Sequence, residues 1–118
     1  MDSKFFVPFE TAKLLKEKEY PQEIDTIHFD GRIAHRILST EQMAILCIVA
    51  APTYHEVVDW LEGKGIIIEA FNVYRLETSR IEWKGVVTDV ENDCRHGGWG
   101  LTREEALNAA ILKALEMI

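Results

Sequence analysis

Residues 97–118 read GGWGLTREEALNAAILKALEMI, a glycine-rich approach followed by a capped, alanine-rich stretch. Thr102 and Glu105 stand in capping-box spacing, which starts a helix at this point. Leu107, Ala110, Ile111, Ala114, Leu115 and Ile118 then recur at helical spacing, and Ala106 widens the stripe. Arg103, Glu104, Asn108, Lys113 and Glu116 take the opposite side, with Leu112 at the margin. Alanines inside the stripe let the helix axis approach a flat surface closely, so this helix is expected to lie on a sheet. The fold class that follows is α+β, with helices packed on one face of a small antiparallel sheet.

Working back from there, the sheet is found in residues 66–101. IIIEAFNVY (66–74) is β-branched and aromatic. SRIEWKGVVTDV (79–90) alternates, with Ile81, Trp83 and Val87 on one side and Arg80, Glu82, Lys84 and Thr88 on the other. RLETS between them suits a hairpin loop. Residues from about Glu91 to Gly98 read as a loop, and Trp99 to Leu101 as a short third strand. Ahead of the sheet, Thr53 and Glu56 repeat the capping-box spacing. Tyr54, Val57, Val58 and Leu61 form one helical face, and Gly63 or Gly65 supplies the left-handed residue that ends it. Residues 52–118 thus read helix, strand, strand, short strand, helix.

Residues 1–50 carry a first helix, a hairpin and an apolar segment. PFETAKLLKEKEY (8–20) places Ala12, Leu15 and Leu14 on a narrow stripe, and Pro21 is expected to end the helix. Asp30-Gly31 tolerates positive φ at both positions and marks a two-residue hairpin, with Ile27 and Phe29 before it and Ile33 and Ile37 after it. Residues 39–50 allow two readings, a helix capped by Ser39 and Gln42 or a buried strand through AILCIVA. Extended structure is the preferred one. A single domain spanning 1–118 is expected, made of these two parts.

Composition limits the partners. The 118 residues hold 13 basic and 20 acidic side chains, a formal charge of −7. That balance opposes general affinity for phosphate backbones, which comes from counterion release by Lys and Arg. The longest apolar run, Met43 to Ala51, is less than half of the ~20 residues that a spanning helix requires. The N-terminus lacks the basic, apolar and small-residue sections of a secretion signal, so a cytoplasmic protein without membrane contact is expected. Cys47, inside MAILCIVA, reads as a small buried hydrophobe; Cys94 reads as a loop thiol.

Few constellations point to chemistry. Cys94 and His96 are the weak candidates for a metal site, and a third ligand would have to come from Asp93, His55 or His28. The same pair lacks a third group to orient the histidine for nucleophilic work. GGWG before a helix resembles an anion loop but carries no lysine or serine of the phosphate-loop pattern, and a turn that lets Trp99 pack is preferred. Trp60, Trp83, Trp99, Tyr54, Tyr74 and Phe71 are expected in the core rather than on a base-stacking platform. His28 and His35 flank the Asp-Gly turn and are expected to face each other or lie on the surface. Glu104 and Glu105 diverge by about 100° on a helix and do not form an acid–base dyad.

Two resemblances add to this. Through FVPFETAKLLKEKEYP, APTYHEVVDWLEGKGI and TREEALNAAILKALEMI the whole chain resembles a family of short uncharacterised proteins carried by phages and integrated mobile elements of gut bacteria. That resemblance implies a mobile-element origin and nothing about activity. Residues 52–118 also resemble the double-stranded-RNA-binding domain in element order, with Ala106, Ala109, Ala110, Ala114 and Leu115 in the expected apolar places of its last helix. The resemblance implies phosphate-gripping lysines at the start of that helix and a histidine in the hairpin loop. Here those places hold Arg103, Glu104 and Glu105, and RLETS. The expectation is a small non-enzymatic accessory protein without cofactor or metal, a monomer or weak homodimer that meets a protein partner rather than nucleic acid. Its expected contact surfaces are the open sheet edge and the hairpin at Asp30-Gly31; the alternative is a nucleic-acid-binding module.

Overall fold

A computed structural model describes residues 5–22, 26–29, 32–35, 49–89 and 94–118. The chain divides into two compact units, Met1–Thr53 and Tyr54–Ile118. The protein is α+β, and in both units the sheets are antiparallel. Among the described residues there are three helices and two three-stranded sheets.

The first unit contains α1 (Phe9–Glu17), β1 (Thr26–Phe29), β2 (Arg32–His35) and β3 (Val49–Ala50), with sheet order β2-β1-β3. Phe29 pairs with Arg32, so the expected hairpin forms, although Asp30 and Gly31 lie outside the described residues. His28 pairs with Ile33 and His35 with Thr26; the register therefore does not set the two histidines opposite each other. Instead His28 Nε2 donates to the Val7 carbonyl at 3.0 Å, and its ring meets Phe9 edge-on. Burial holds the His28 pKa below its ordinary value, against the opposing effect of the Val7 hydrogen bond. Gln22 stitches the sheet to the chain after α1, its oxygen accepting from the Ala50 N–H and its amide donating to the Tyr20 carbonyl. Of residues 39–50 only Val49 and Ala50 are described, and these are extended, paired with β1; the rest of that segment, with Cys47, lies outside.

Helix α1 stops earlier than Pro21 requires. Glu19 adopts φ 67°, while Tyr20 N–H donates to Leu15 O and Glu19 N–H to Lys16 O. This left-handed C-terminal motif closes the helix by backbone geometry, two residues ahead of the proline. Ala12, Leu15 and Thr11 face the core, and Leu14 is exposed.

The second unit contains α2 (Tyr54–Gly63), β4 (Ile67–Arg75), β5 (Arg80–Thr88), β6 (Cys94–Gly100) and α3 (Arg103–Leu115), with sheet order β4-β5-β6. Gly65 at φ 83° ends α2 in the same way as Glu19 ends α1: Ile66 N–H donates to Leu61 O and Gly65 N–H to Glu62 O. Thr102 caps α3, accepting from the Glu105 N–H, while the Glu105 carboxylate reaches back to the Leu101 N–H. Ala106, Leu107, Ala110, Ile111, Ala114 and Leu115 are buried against the sheet.

The third strand is longer than its sequence suggests. It begins at Cys94 rather than Trp99, so DCRHGG is not all loop and GGWG is not a turn. The reason is α3. A Cβ on Gly97 would stand 2.6 Å from the Ala110 Cα, and one on Gly100 2.6 Å from the Glu105 Cβ. These glycines are the strand's contact with the helix, where no side chain fits. A register shift opposite Gly85/Val86 also leaves an extra residue in β6. That bulge puts His96 and Trp99, three residues apart, on the same face, the one turned away from α3.

Candidate interaction site

The two faces of the second sheet differ completely. On the helix side, Ile68 pairs with Val87, and Ala70 with Gly85, whose missing side chain lies against Ala106 and Ala110 of α3. On the other side one row of side chains crosses the sheet as Phe71, Lys84 and Trp99. The Arg75 guanidinium lies 4.7 Å above the Trp99 ring and Lys84 Nζ lies 5.7 Å from it. Trp99 is thus not a core residue. It packs beneath two cations on the open face, with the His96 ring at 5.5 Å.

The hairpin residues after β4 hold this arrangement. Arg75 donates from Nε to Glu77 and from Nη1 to Glu82, Arg80 donates from Nε to Glu82, and the Thr78 hydroxyl donates to the same carboxylate. That hydroxyl, followed by Arg80 and Arg75, holds the Glu82 pKa below the usual carboxylate range, against some desolvation. Glu82 is only 4% exposed, and the polar and charged side chains around it supply its hydrogen bonds. Both arginines of this face thus donate to Glu82, and Arg75 keeps its Nη2 outside these bonds.

At one side of the sheet, β4 has no neighbour among the described residues, so nine residues present an unpaired backbone edge. Beside that edge is a cleft of about 300 Å³ between α2, β4 and the start of α3. Val58, Ile68 and Leu107 give it an apolar floor, Tyr54, His55 and Arg103 supply polar side chains, and Glu69 and Phe71 line it at the strand edge. Tyr54 is buried, and its pKa is pushed up to about 12 by desolvation and then by the carboxylates Glu104 and Glu105. It therefore remains a neutral hydroxyl at any physiological pH. Large apolar side chains stand exposed along and just beyond the same strand: Phe71 at 42%, Tyr74 at 58% and Leu76 at 82%.

The chain matches no protein-family model, no curated protein and no solved structure.

Of the residues singled out from the sequence, Cys94 and His96 share a strand and a face, and Cys94 is an exposed free thiol. His28 is in the first unit on the Val7 carbonyl, and His55 pairs with Asp59 along α2 at 3.4 Å. Asp93 lies outside the described residues. Among the described residues no three His, Cys, Asp or Glu side chains gather as a metal site. No helix among them is long and apolar enough to cross a membrane. Tyr54 is buried as expected, but Phe71 and Tyr74 are exposed. Sequence reasoning missed that Phe71 and Glu69 flank an open edge, because edge position is set by sheet order and alternation shows only faces.

Proposed function

We propose that this is a non-enzymatic accessory protein of a mobile element that binds a protein partner by adding an extended segment to β4. The observation that supports it is the unpaired nine-residue edge of β4 running beside an apolar cleft. A strand laid along that edge gains main-chain hydrogen bonds, and its alternate side chains enter the cleft between α2 and α3. The polar groups of the cleft are few and mixed in sign, which suits side-chain recognition more than turnover.

The nucleic-acid reading has less support. The start of α3 carries Glu104 and Glu105, whose field is felt at Tyr54, and Glu105 already occupies the Leu101 N–H. The experiment is affinity capture from host lysate with the wild type and with Phe71→Glu, each with and without nuclease. A partner that survives nuclease and is lost with Phe71→Glu supports the edge. Capture that vanishes with nuclease and ignores Phe71→Glu overturns it in favour of nucleic acid.

A further inference from the structure

We propose that the occupant of the β4 edge is β4 of a second copy of this chain, paired antiparallel about a twofold axis at Asn72. This rests on the reading of β4 as an interaction edge and names its partner.

The strand is complementary to its own reverse. With the axis at Asn72, Phe71 stands opposite the partner copy's Val73, Glu69 opposite its Arg75, Ala70 opposite its Tyr74 and Ile68 opposite its Leu76. Odd-numbered residues of β4 lie on the open face, as the Phe71–Lys84–Trp99 row shows. The dimer therefore places a Phe–Val contact and a Glu–Arg pair there, each twice. Glu69 is exposed and pairs with no described residue, and Arg75 uses Nε and Nη1 within its own chain, leaving Nη2 for a carboxylate from outside.

On the helix side the match is one of shape. Ile68 and Ala70 form the β4 wall of the cleft; Tyr74 of the other copy stands opposite Ala70, and its Leu76, the first residue of the turn after β4, comes beside Ile68. These are the exposed apolar side chains at 82% and 58% that the single chain leaves in water. Each copy thus supplies the apolar groups that fill the other's cleft. Sliding the axis to Phe71 sets Glu69 opposite Val73 and Arg75 opposite Ile67, and sliding it to Ala70 sets Glu69 opposite Phe71. Both leave the charges unmatched, so charge complementarity selects Asn72.

The test is symmetric crosslinking of the full chain. A twofold axis at Asn72 brings the two Cα atoms to ~4.5–5.5 Å, within the ~4.4–6.8 Å of a disulfide. In a Cys94→Ser background, mild oxidation of Asn72→Cys should give a dimer whose disulfide maps to 72–72 by peptide mass spectrometry. Phe71→Cys should crosslink to Val73→Cys in a mixture more readily than to itself. Sedimentation of the wild type should show reversible dimerisation, weakened about tenfold by Glu69→Lys, which sets like charges opposite each other at two places. Thermal melts confirm that the variants fold. A dimer crosslinked at 71–71 and not at 72–72 overturns the register. A chain that stays monomeric at millimolar concentration and gives no crosslink overturns self-pairing. If Phe71→Glu then still abolishes capture of another protein, the edge reading survives alone, and if it does not, both fall.

Discussion

Replacing Gly97 by alanine tests the central packing claim of the second unit, that α3 rests directly on backbone. The added Cβ would meet Ala110 at 2.6 Å from Cα, 2.9 Å from Cβ and 3.2 Å from N. Ordinary contacts lie near 3.5–4 Å, so the helix must lift by roughly 1 Å, and these atoms belong to a helix that cannot bend a side chain away. Overpacking of this kind costs ~1–3 kcal/mol, and the rigid neighbours place it at the upper end. Alanine returns ~0.5–1 kcal/mol through the unfolded chain. The net loss is then about 2 kcal/mol, or roughly 8–16 °C in melting temperature for a unit of this size. Gly85→Ala presses on the same Ala110, with its Cβ 3.1 Å from that methyl, and also runs into the Ala106 carbonyl. The double variant should therefore lose less than the sum, because a helix lifted once need not be lifted again. Gly63→Ala is the control: nothing lies within 4 Å of its Cβ, and in a helix it should stabilise by ~0.5–1 kcal/mol. Urea or thermal unfolding followed by circular dichroism measures all four. A Gly97→Ala protein that melts within 2 °C or so of the wild type would refute direct contact.

Other outcomes follow from single residues. Glu19→Gly should stabilise the chain by about 0.5–1 kcal/mol, because Glu19 stands at φ 67° where glycine carries no Cβ penalty; a loss of stability would refute the left-handed cap. The raised Tyr54 pKa favours the protonated hydroxyl in the folded chain, so its contribution is complete below pH 10 and lost as pH rises toward about 12. Two units at ~1.36 kcal/mol each set a ceiling near 2.7 kcal/mol, which partial solvation lowers to ~1–2; urea unfolding of Tyr54→Phe should lack this alkaline loss. His28 has the opposite sign. Its lowered pKa stabilises the fold above pH 6.5 and that stability drains away as pH falls, a slope that His28→Gln should flatten in acid unfolding. Glu105→Ala should cost ~0.5–2 kcal/mol through the lost bond to the Leu101 N–H, whereas Glu104→Ala should cost less than ~1, as thermal melts will separate.

What the sequence disclosed depended on whether the cause was local. The α3 stripe, the Thr102–Glu105 cap, the alternation of β5 and the hairpin after Arg75 were all legible, since each is set by residues within one or two turns. The length of β6 was not. Glycines read as turn signals when taken alone, and only the alanine face of α3 shows that Gly97 and Gly100 are a strand's bearing surface. Trp99 was misplaced for the same reason: a bulge inverted its face, and a bulge is a property of the pair of strands. Glu19 in a left-handed turn carries no compositional mark at all, because glycine is the usual signal there. The open edge of β4 depends on strand order, a nonlocal fact, although the self-complementary pattern Glu69-Ala-Phe-Asn-Val-Tyr-Arg75 was present to be read in reverse.

The start of α3 is closed by its own residues. A phosphate at a helix start needs free N–H groups and a positive field. Here Thr102 takes the Glu105 N–H, the Glu105 carboxylate takes the Leu101 N–H, and the field reaching Tyr54 from Glu104 and Glu105 is negative. The helix end is satisfied by its own side chains. Across the sheet, Arg75 and Arg80 are drawn onto Glu82, and Arg75 is laid over Trp99. Backbone groups without a partner among the described residues lie along β4, one of the two outer strands of the sheet, beside apolar side chains and a cleft of matching character. Unsatisfied donors and acceptors next to uncovered apolar area are what another strand removes from water at once, so the edge and not the helix end is where this unit gains most from an encounter.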